Sequence, residues 1–227
     1  GGKVMFVTNL NDSGPGSFRD ACEAAGPRIV IFCVSGAIEL ESGISIRNPY
    51  ITIAGQTAPG DGVCLKNWPL EVSSREVIIR YLRCRPDLMP NLSYDPDMPR
   101  EQGNLEYMEF DSLSINDSEN IMIDHCSVSW GNDETLSAVV SGGGSKLGNL
   151  TIQWCIISEG LDWYDHSMGT GLDSKDYHPA SFWLISLLSL TNGYDICTSV
   201  RLFLNAAHCC ACSVAVIGGA CSGAVIG

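Results

Sequence analysis

Four acidic residues stand in the middle of the chain, on either side of a short apolar run. Glu109 and Asp111 are separated by one residue, and Asp133 and Glu134 are adjacent. Side chains two apart on an extended strand point to the same face, so Glu109 and Asp111 would project together. Converging carboxylates suit a hard cation such as Ca²⁺. Spacing alone nevertheless favours a simpler interpretation, which is a solvated acidic surface.

The apolar run between the acidic pairs is one of five similar runs that recur along the chain. They are rich in β-branched residues and start at residues 29, 51, 77, 121 and 150. A period in the twenties, with polar turns between the runs, predicts a parallel solenoid. A β-sandwich is the alternative architecture. We favour the solenoid because the runs alternate poorly between polar and apolar residues, as the buried strands of parallel sheets do.

Two further segments fit this solenoid. Residues 17–25 predict a short helix, with Ser17 as its N-cap and Asp20 in its first turn, and a terminal helix of this kind would cover the first coil. The long step between residues 77 and 121 contains an insertion, roughly 86–108, whose prolines and polar residues predict a loop.

The composition narrows the classes of partner. A net charge of −13 argues against nucleic acid, because binding to its phosphates needs an excess of Lys and Arg. The same charge would repel a polyanionic sugar unless a cation bridges the two. No stretch reaches the ~20 apolar residues of a membrane span. The chain opens Gly-Gly without Met, so we expect a mature form or a fragment.

Eleven cysteines leave two interpretations open. An odd number means that at least one is unpaired, and five of them lie between Cys197 and Cys221. The other six either form disulfides or are small apolar side chains buried inside the coil. His208 beside Cys209, Cys210 and Cys212 does not predict zinc, because no second ligand set follows at a regular spacing.

Several blocks of the chain resemble the pectate lyase family. They include VTNLNDSGPGSFRDAC, ITIAGQTAPGDGVCLKN and EVIIRYLRCRP, and above all SENIMIDHCSVSW followed by NDE. The resemblance covers residues 1 to about 172 and implies an extracellular, all-β, right-handed parallel β-helix. We therefore predict that fold with a short N-terminal capping helix. We expect a β-helix domain over 1–175 and an atypical C-terminal segment over 176–227.

The resemblance also implies roles for individual residues. Glu109, Asp111, Asp133 and Glu134 match the family's Ca²⁺ ligands by position. Asp124 and His125 carry its Asp-His motif and, with His166, are expected to contact substrate. An internal hydrogen-bonded pair that fixes the coil is the alternative role for Asp124 and His125.

The implied chemistry is β-elimination on polygalacturonate, in which a base removes the proton next to the uronate carboxylate. The family's arginine base would follow a coil that reads SFWLISLLSLTNGYDICTS in this chain, without an arginine. Arg201, several residues later, is the local substitute. We predict that the chain after about residue 175 forms fewer regular coils and is less stable than the part before it.

Two other functions stay open. One is a pectate-binding relative that lacks the base. The other is a hydrolase on the same fold, with Asp133 and Glu134 as its acid and base. In each case we expect a pectic polysaccharide as partner, no nucleic acid, no membrane, and a monomer.

Overall fold

The structure is a computed structural model. It describes residues 2–87, 110–131, 133–141 and 147–160, together with the backbone of strands 168–173, 182–190 and 196–204. None of the helices in this part of the chain has the length and apolarity that a membrane crossing requires.

Three ladders of parallel strands run along the molecule. The first ladder consists of β1 (Lys3–Val7), β2 (Arg28–Phe32), β5 (Ile51–Ala54), β8 (Arg75–Arg80), β11 (Glu119–Asp124) and β14 (Gly148–Gln153). The second consists of β3 (Gly36–Glu39), β6 (Val63–Lys66), β9 (Leu82–Arg85), β12 (Ser127–Ser129) and β15 (Ile156–Ser158). The third consists of β4 (Ile44–Ile46), β7 (Leu70–Val72), β10 (Leu113–Asn116), β13 (Glu134–Val139) and β16 (Met168–Asp173). A 3₁₀ turn, Gly55–Thr57, lies between β5 and β6.

The parallel register stacks like residues on like in the core. Along the first ladder the partners in successive coils form one buried column, which consists of Val30, Ile53, Ile79, Ile123 and Ile152. Each side chain buried in this way contributes ~1.5–3 kcal/mol. Because the chain visits the three ladders in the same order in every coil, the prediction of an all-β, right-handed parallel β-helix is confirmed.

A short helix, α1 (Phe18–Glu23), caps the first coil, as the sequence predicts. The hydroxyl of Ser17 accepts the N–H of Asp20 at 3.1 Å, which is the expected N-cap. Phe18 is buried, and its ring lies 5.6 Å from that of Phe32 in β2. Buried Arg28 closes the other end of the helix, since it donates to the carbonyls of its last turn.

The regular winding changes in the last two strands. The long strand β17 (Phe182–Leu190) pairs in parallel with both β14 and β15, and so joins the first two ladders. The last strand, β18 (Ile196–Leu204), pairs with β17 in the antiparallel direction. The boundary near residue 175, and the lower stability beyond it, stay predictions.

The described cysteines answer part of the question that the sequence leaves open. All six between Cys22 and Cys155 are free thiols, and four of them are buried: Cys22, Cys84, Cys126 and Cys155. Those four serve as small apolar core residues. The predicted loop falls almost wholly outside the described residues.

Candidate metal and substrate site

Three of the four carboxylates singled out by the sequence lie together at the N-terminal ends of two neighbouring strands of the third ladder, β10 and β13. Oxygens of Asp111, Asp133 and Glu134, which we call the acidic triad, all lie within 4.8 Å of one another. Asp111 stands two residues before Leu113 in β10, and Glu134 stands two residues before Leu136 in β13. Since Leu113 and Leu136 are partners in the parallel register, the fold brings Asp111 and Glu134 to the same level of adjacent coils.

Hydrogen bonds fix the acidic triad to the backbone of these two coils. The Oδ1 atom of Asp111 accepts the N–H of Glu134 at 3.0 Å, and its Oδ2 atom accepts the hydroxyl of Ser137. The N–H of Asp133 donates to the carbonyl of Phe110 at 3.4 Å. The carboxylates are therefore held at the N-terminal ends of β10 and β13 by bonds between the two coils.

Gly131 allows the tight turn that leads into the triad. A Cβ atom at this position would meet the carbonyl oxygen of Glu134 at 2.1 Å and its carbonyl carbon at 2.8 Å. Backbone atoms cannot yield as the end of a flexible side chain can. Any larger residue at Gly131 must therefore displace the start of β13 and the carboxylates that it carries.

The electrostatics of the triad favour a cation. Burial, a hydrogen bond to Asp111 and the charges of Asp111 and Asp133 together raise the pKa of Glu134 to about 8. Carboxylates this close to one another destabilise their own ionised forms, and a nearby positive charge reverses the effect. Three hard oxygen donors fit Ca²⁺, which takes about six to eight oxygen ligands and fills the rest with water or a ligand's oxygens.

The other predicted site residues do not join the triad in the described part of the chain. Glu109 and His166 lie outside the described residues. Arg201 lies on β18, of which the backbone alone is described. That strand pairs with β17, whereas the triad lies at the N-terminal ends of β10 and β13 in the third ladder. Their roles stay predictions.

Asp124 and His125 lie at a different corner, between the first and second ladders. The carboxylate of Asp124 is 1% exposed and accepts from His125 Nδ1 at 2.6 Å, Arg80 Nε at 2.6 Å and Gln153 Nε2 at 3.1 Å. Burial raises the pKa of Asp124, but the hydrogen bonds from His125, Arg80 and Gln153 outweigh it, so the net pKa is lowered. The pair thus has the geometry of an internal network that ties three coils together, while the role in substrate binding stays a prediction.

His125 also belongs to a stack of rings on the outside of this corner. Its ring lies 4.6 Å from that of Tyr81 and nearly parallel to it, and 6.3 Å from that of Trp154. All three residues have left-handed backbone angles, with φ between 53° and 55°. Bulky residues rarely adopt left-handed backbone angles. Because these angles recur at the same corner of three successive coils, we infer that contacts between the rings stabilise them.

Arg85, which was not singled out by the sequence, contacts Trp130, the residue that follows β12. Arg85 ends β9 and donates to the carbonyl and the hydroxyl of Ser127 at 2.7 and 2.6 Å. Its guanidinium carbon lies 6.0 Å from the centre of the Trp130 ring, within the range of a cation–π contact. The indole of Trp130 donates to Glu159 at 3.1 Å. The alternation Leu-Arg-Cys-Arg in β9 was the available signal, since it sends both arginines outward.

Comparison with known proteins finds sequence relatives for about three quarters of the chain. No family model matches the sequence. A protein of Aspergillus flavus named probable pectate lyase C is 41% identical over 177 residues, which are 77% of this chain and 36% of that protein. One of the same name from Aspergillus terreus is 40% identical over 170 residues, 74% of this chain and 34% of that protein. The chain therefore spans about a third of the length of these relatives.

Among solved structures, the crystal structure of Jun a 1, the major allergen from cedar pollen, matches with a TM-score of 0.49 and 18% identity. It covers 84% of this chain and 65% of that one. The sequence relatives, at about 40% identity across three quarters of the chain, confirm the resemblance predicted from the motifs: over this stretch the chain is a homologue of proteins named probable pectate lyase C.

Proposed function

We propose that this chain is a calcium-dependent polysaccharide lyase that cleaves polygalacturonate by β-elimination, and that its turnover is slow. The observation that carries the proposal is the acidic triad, three carboxylates within 4.8 Å in a homologue of proteins named pectate lyase. Without a bound cation, the negative charge of these carboxylates would repel the carboxylates of an acidic polymer.

Asp111, Asp133 and Glu134 would hold Ca²⁺ together, with Glu109 as a fourth ligand. When bound there, the cation neutralises the uronate carboxylate and so makes the adjacent C–H proton more acidic. The hydrogen bonds of Asp111 support this role, because they leave further lone pairs on both of its oxygens. The fixed backbone of β13 would keep the ligands in place during turnover.

The elimination balances without any further reactant. A base takes the proton next to the carboxylate, a carbon–carbon double bond forms, the glycosidic C–O bond breaks, and the leaving oxygen gains a proton. Arg201 is the proposed base. Turnover is slow in this proposal because the segment that carries the family's arginine has none in this chain.

Substrate contacts are proposed for Asp124, His125 and His166. Asp124 binds Nδ1 of His125, so Nε2 of the exposed ring is the nitrogen left for a sugar hydroxyl. The proposed location is extracellular, where pectic polymers occur, and the proposed state is a monomer.

Product analysis by mass spectrometry tests the reaction class. The protein is incubated with polygalacturonate and Ca²⁺, and the masses of the oligomers formed are measured. A lyase gives an unsaturated end, lighter by one water than the hydrolytic product. Saturated oligomers would instead identify a hydrolase, and an unchanged polymer that still binds the protein would identify a binding relative without a base.

A further inference from the structure

Three cationic side chains stand together on the outside of the second ladder. In β6 and β9 the alternate residues Leu65 and Cys84 point into the core, so Lys66, Arg83 and Arg85 point outward. Lys66 and Arg85 are direct partners in the parallel register, and Arg83 lies two residues before Arg85 on the same face. We call these three residues the basic row.

The basic row is an unusual concentration of charge for this protein. The chain has 13 Lys and Arg residues against 26 Asp and Glu residues. Like charges side by side on neighbouring strands, which lie ~4.8 Å apart, are destabilising. The pKa of the Cys64 thiol reflects the proximity of these three cations. Burial raises that pKa, while the positive charges of Arg85, Arg83 and Lys66 act to lower it.

Within the part of the chain whose side chains are described, carboxylates neutralise little of this charge. Arg83 donates to the backbone carbonyl of Asp61 at 2.7 Å, and Arg85 donates to Ser127 and to its neighbour's carbonyl. Among the residues whose side chains the structure describes, neither arginine forms an ion pair. Lys66 meets Glu39 at 3.5 Å, but that carboxylate is 69% exposed. The guanidinium groups are thus oriented by neutral acceptors while their charge stays available.

The position of the basic row links it to the acidic triad. Arg85 is the last residue of β9, and its bonds to Ser127 reach the next coil, where β12 leads through Trp130 into the triad. Arg85 therefore contacts the segment that leads along the chain into the proposed calcium site.

We propose that the basic row binds carboxylates of an acidic polysaccharide, so that the polymer runs along the helix axis from β6 and β9 toward the acidic triad. This inference rests on the proposed function and adds the direction of the bound polymer and the residues that hold it. Charge complementarity selects a polyuronate, because a neutral sugar chain would gain nothing from three cations.

Binding of a galacturonate oligomer to two matched double variants tests the inference. Lys66→Gln with Arg83→Gln removes two charges from the basic row. Arg47→Gln with Arg75→Gln removes two charges from exposed positions on the third and first ladders. Affinity is measured by calorimetry in chelator and in Ca²⁺, at low and high salt. A fully methyl-esterified oligomer serves as the uncharged ligand, and thermal midpoints verify folding.

We expect the basic-row variant to bind the oligomer about tenfold more weakly in chelator at low salt, equal to ~1.4 kcal/mol. The control should change less than about twofold, and the gap should close in ~1 M salt, where screening acts within ~3 Å. The esterified oligomer should not distinguish the two variants.

Equal weakening in both variants, or in neither, would overturn the inference. If wild type binds only with Ca²⁺ and the basic-row variant binds as tightly, the proposed function stands and the basic row has no part in it. If wild type binds no oligomer under any condition, the proposed function and the inference fail together.

Discussion

Replacing Asp124 by asparagine tests whether one buried carboxylate holds three coils together. Its donors Arg80, His125 and Gln153 lie at the ends of β8, β11 and β14, at 2.6, 2.6 and 3.1 Å. In Asp124→Asn the side chain keeps its size, but its amide group turns a donor toward at least one of these three donors. The network then loses both its charge and part of its pairing.

The magnitude follows from the exposure of the partners. Hydrogen bonds to a charged group contribute ~1.5–3 kcal/mol each when buried. Arg80 and His125 are each 38% exposed, so water screens their bonds and reduces the share of each to ~0–1 kcal/mol. We expect a total loss of ~2–3 kcal/mol, which corresponds to a fall in Tm of ~4–12 °C for a domain of this size.

The effect should depend on pH in a defined direction. Although burial raises the pKa of Asp124, the hydrogen bonds of its three partners lower it below the usual range. A carboxyl with a lowered folded-state pKa stabilises the protein above its unfolded pKa of ~3.9. That contribution is lost as the pH falls through the folded-state pKa. The gap between wild type and variant should therefore be full at neutral pH and shrink below pH ~4.

Thermal unfolding followed by circular dichroism provides the assay. Asp87→Asn makes the same chemical change at an exposed position and is the control. Its Tm should match that of wild type at every pH. Equal midpoints for Asp124→Asn and wild type at neutral pH, or a gap that persists undiminished in acid, would refute the reasoning.

Further predictions concern the triad and the end of the chain. Asp111→Ala should abolish the heat of calcium binding, with Asp87→Ala as control; equal heats from both would sink the assignment. Gly131→Ala should weaken calcium binding about tenfold, because its Cβ displaces the backbone of Glu134; unchanged affinity would show that the turn is not needed. Amide exchange should be fast beyond about residue 175 and slow before it, since a solenoid coil stabilises only its neighbours; uniform protection would contradict this. Arg201→Ala should remove lyase activity, and an unchanged rate would exclude Arg201 as the base.

Much of the fold could be predicted because each coil of a parallel β-helix contributes a similar apolar run, so the runs recur at a regular spacing in the sequence. The apolar runs starting at residues 51, 77, 121 and 150 became strands of the first ladder, and Ser17 became the N-cap of α1. Stacking like residues on like requires the same β-branched side chain at the same place in each coil, so the signal repeats.

The corners were harder to predict. Asn120 and Asn149 adopt left-handed backbone, which Asn tolerates well. Tyr81, His125 and Trp154 do the same, against the steric preference of bulky residues. Their rings stack across coils, and that compensation is visible only once the register is known.

The candidate site was predictable in part for the same reason. The grouping of Asp111 with Asp133 and Glu134 follows from the motifs, but their hydrogen bonds and the raised pKa of Glu134 depend on burial. The basic row could not be predicted because Lys66 and Arg85 become neighbours only through the register between β6 and β9, which the sequence does not specify.

The central claim is tested most directly by the rate at which unsaturated product appears from polygalacturonate, followed by ultraviolet absorbance against free Ca²⁺. We expect a slow rate that rises with calcium, saturates and vanishes in chelator. We also expect Asp133→Asn to need more calcium to reach half of its maximal rate. New reducing ends without absorbance, or a rate that chelator leaves unchanged, would contradict it.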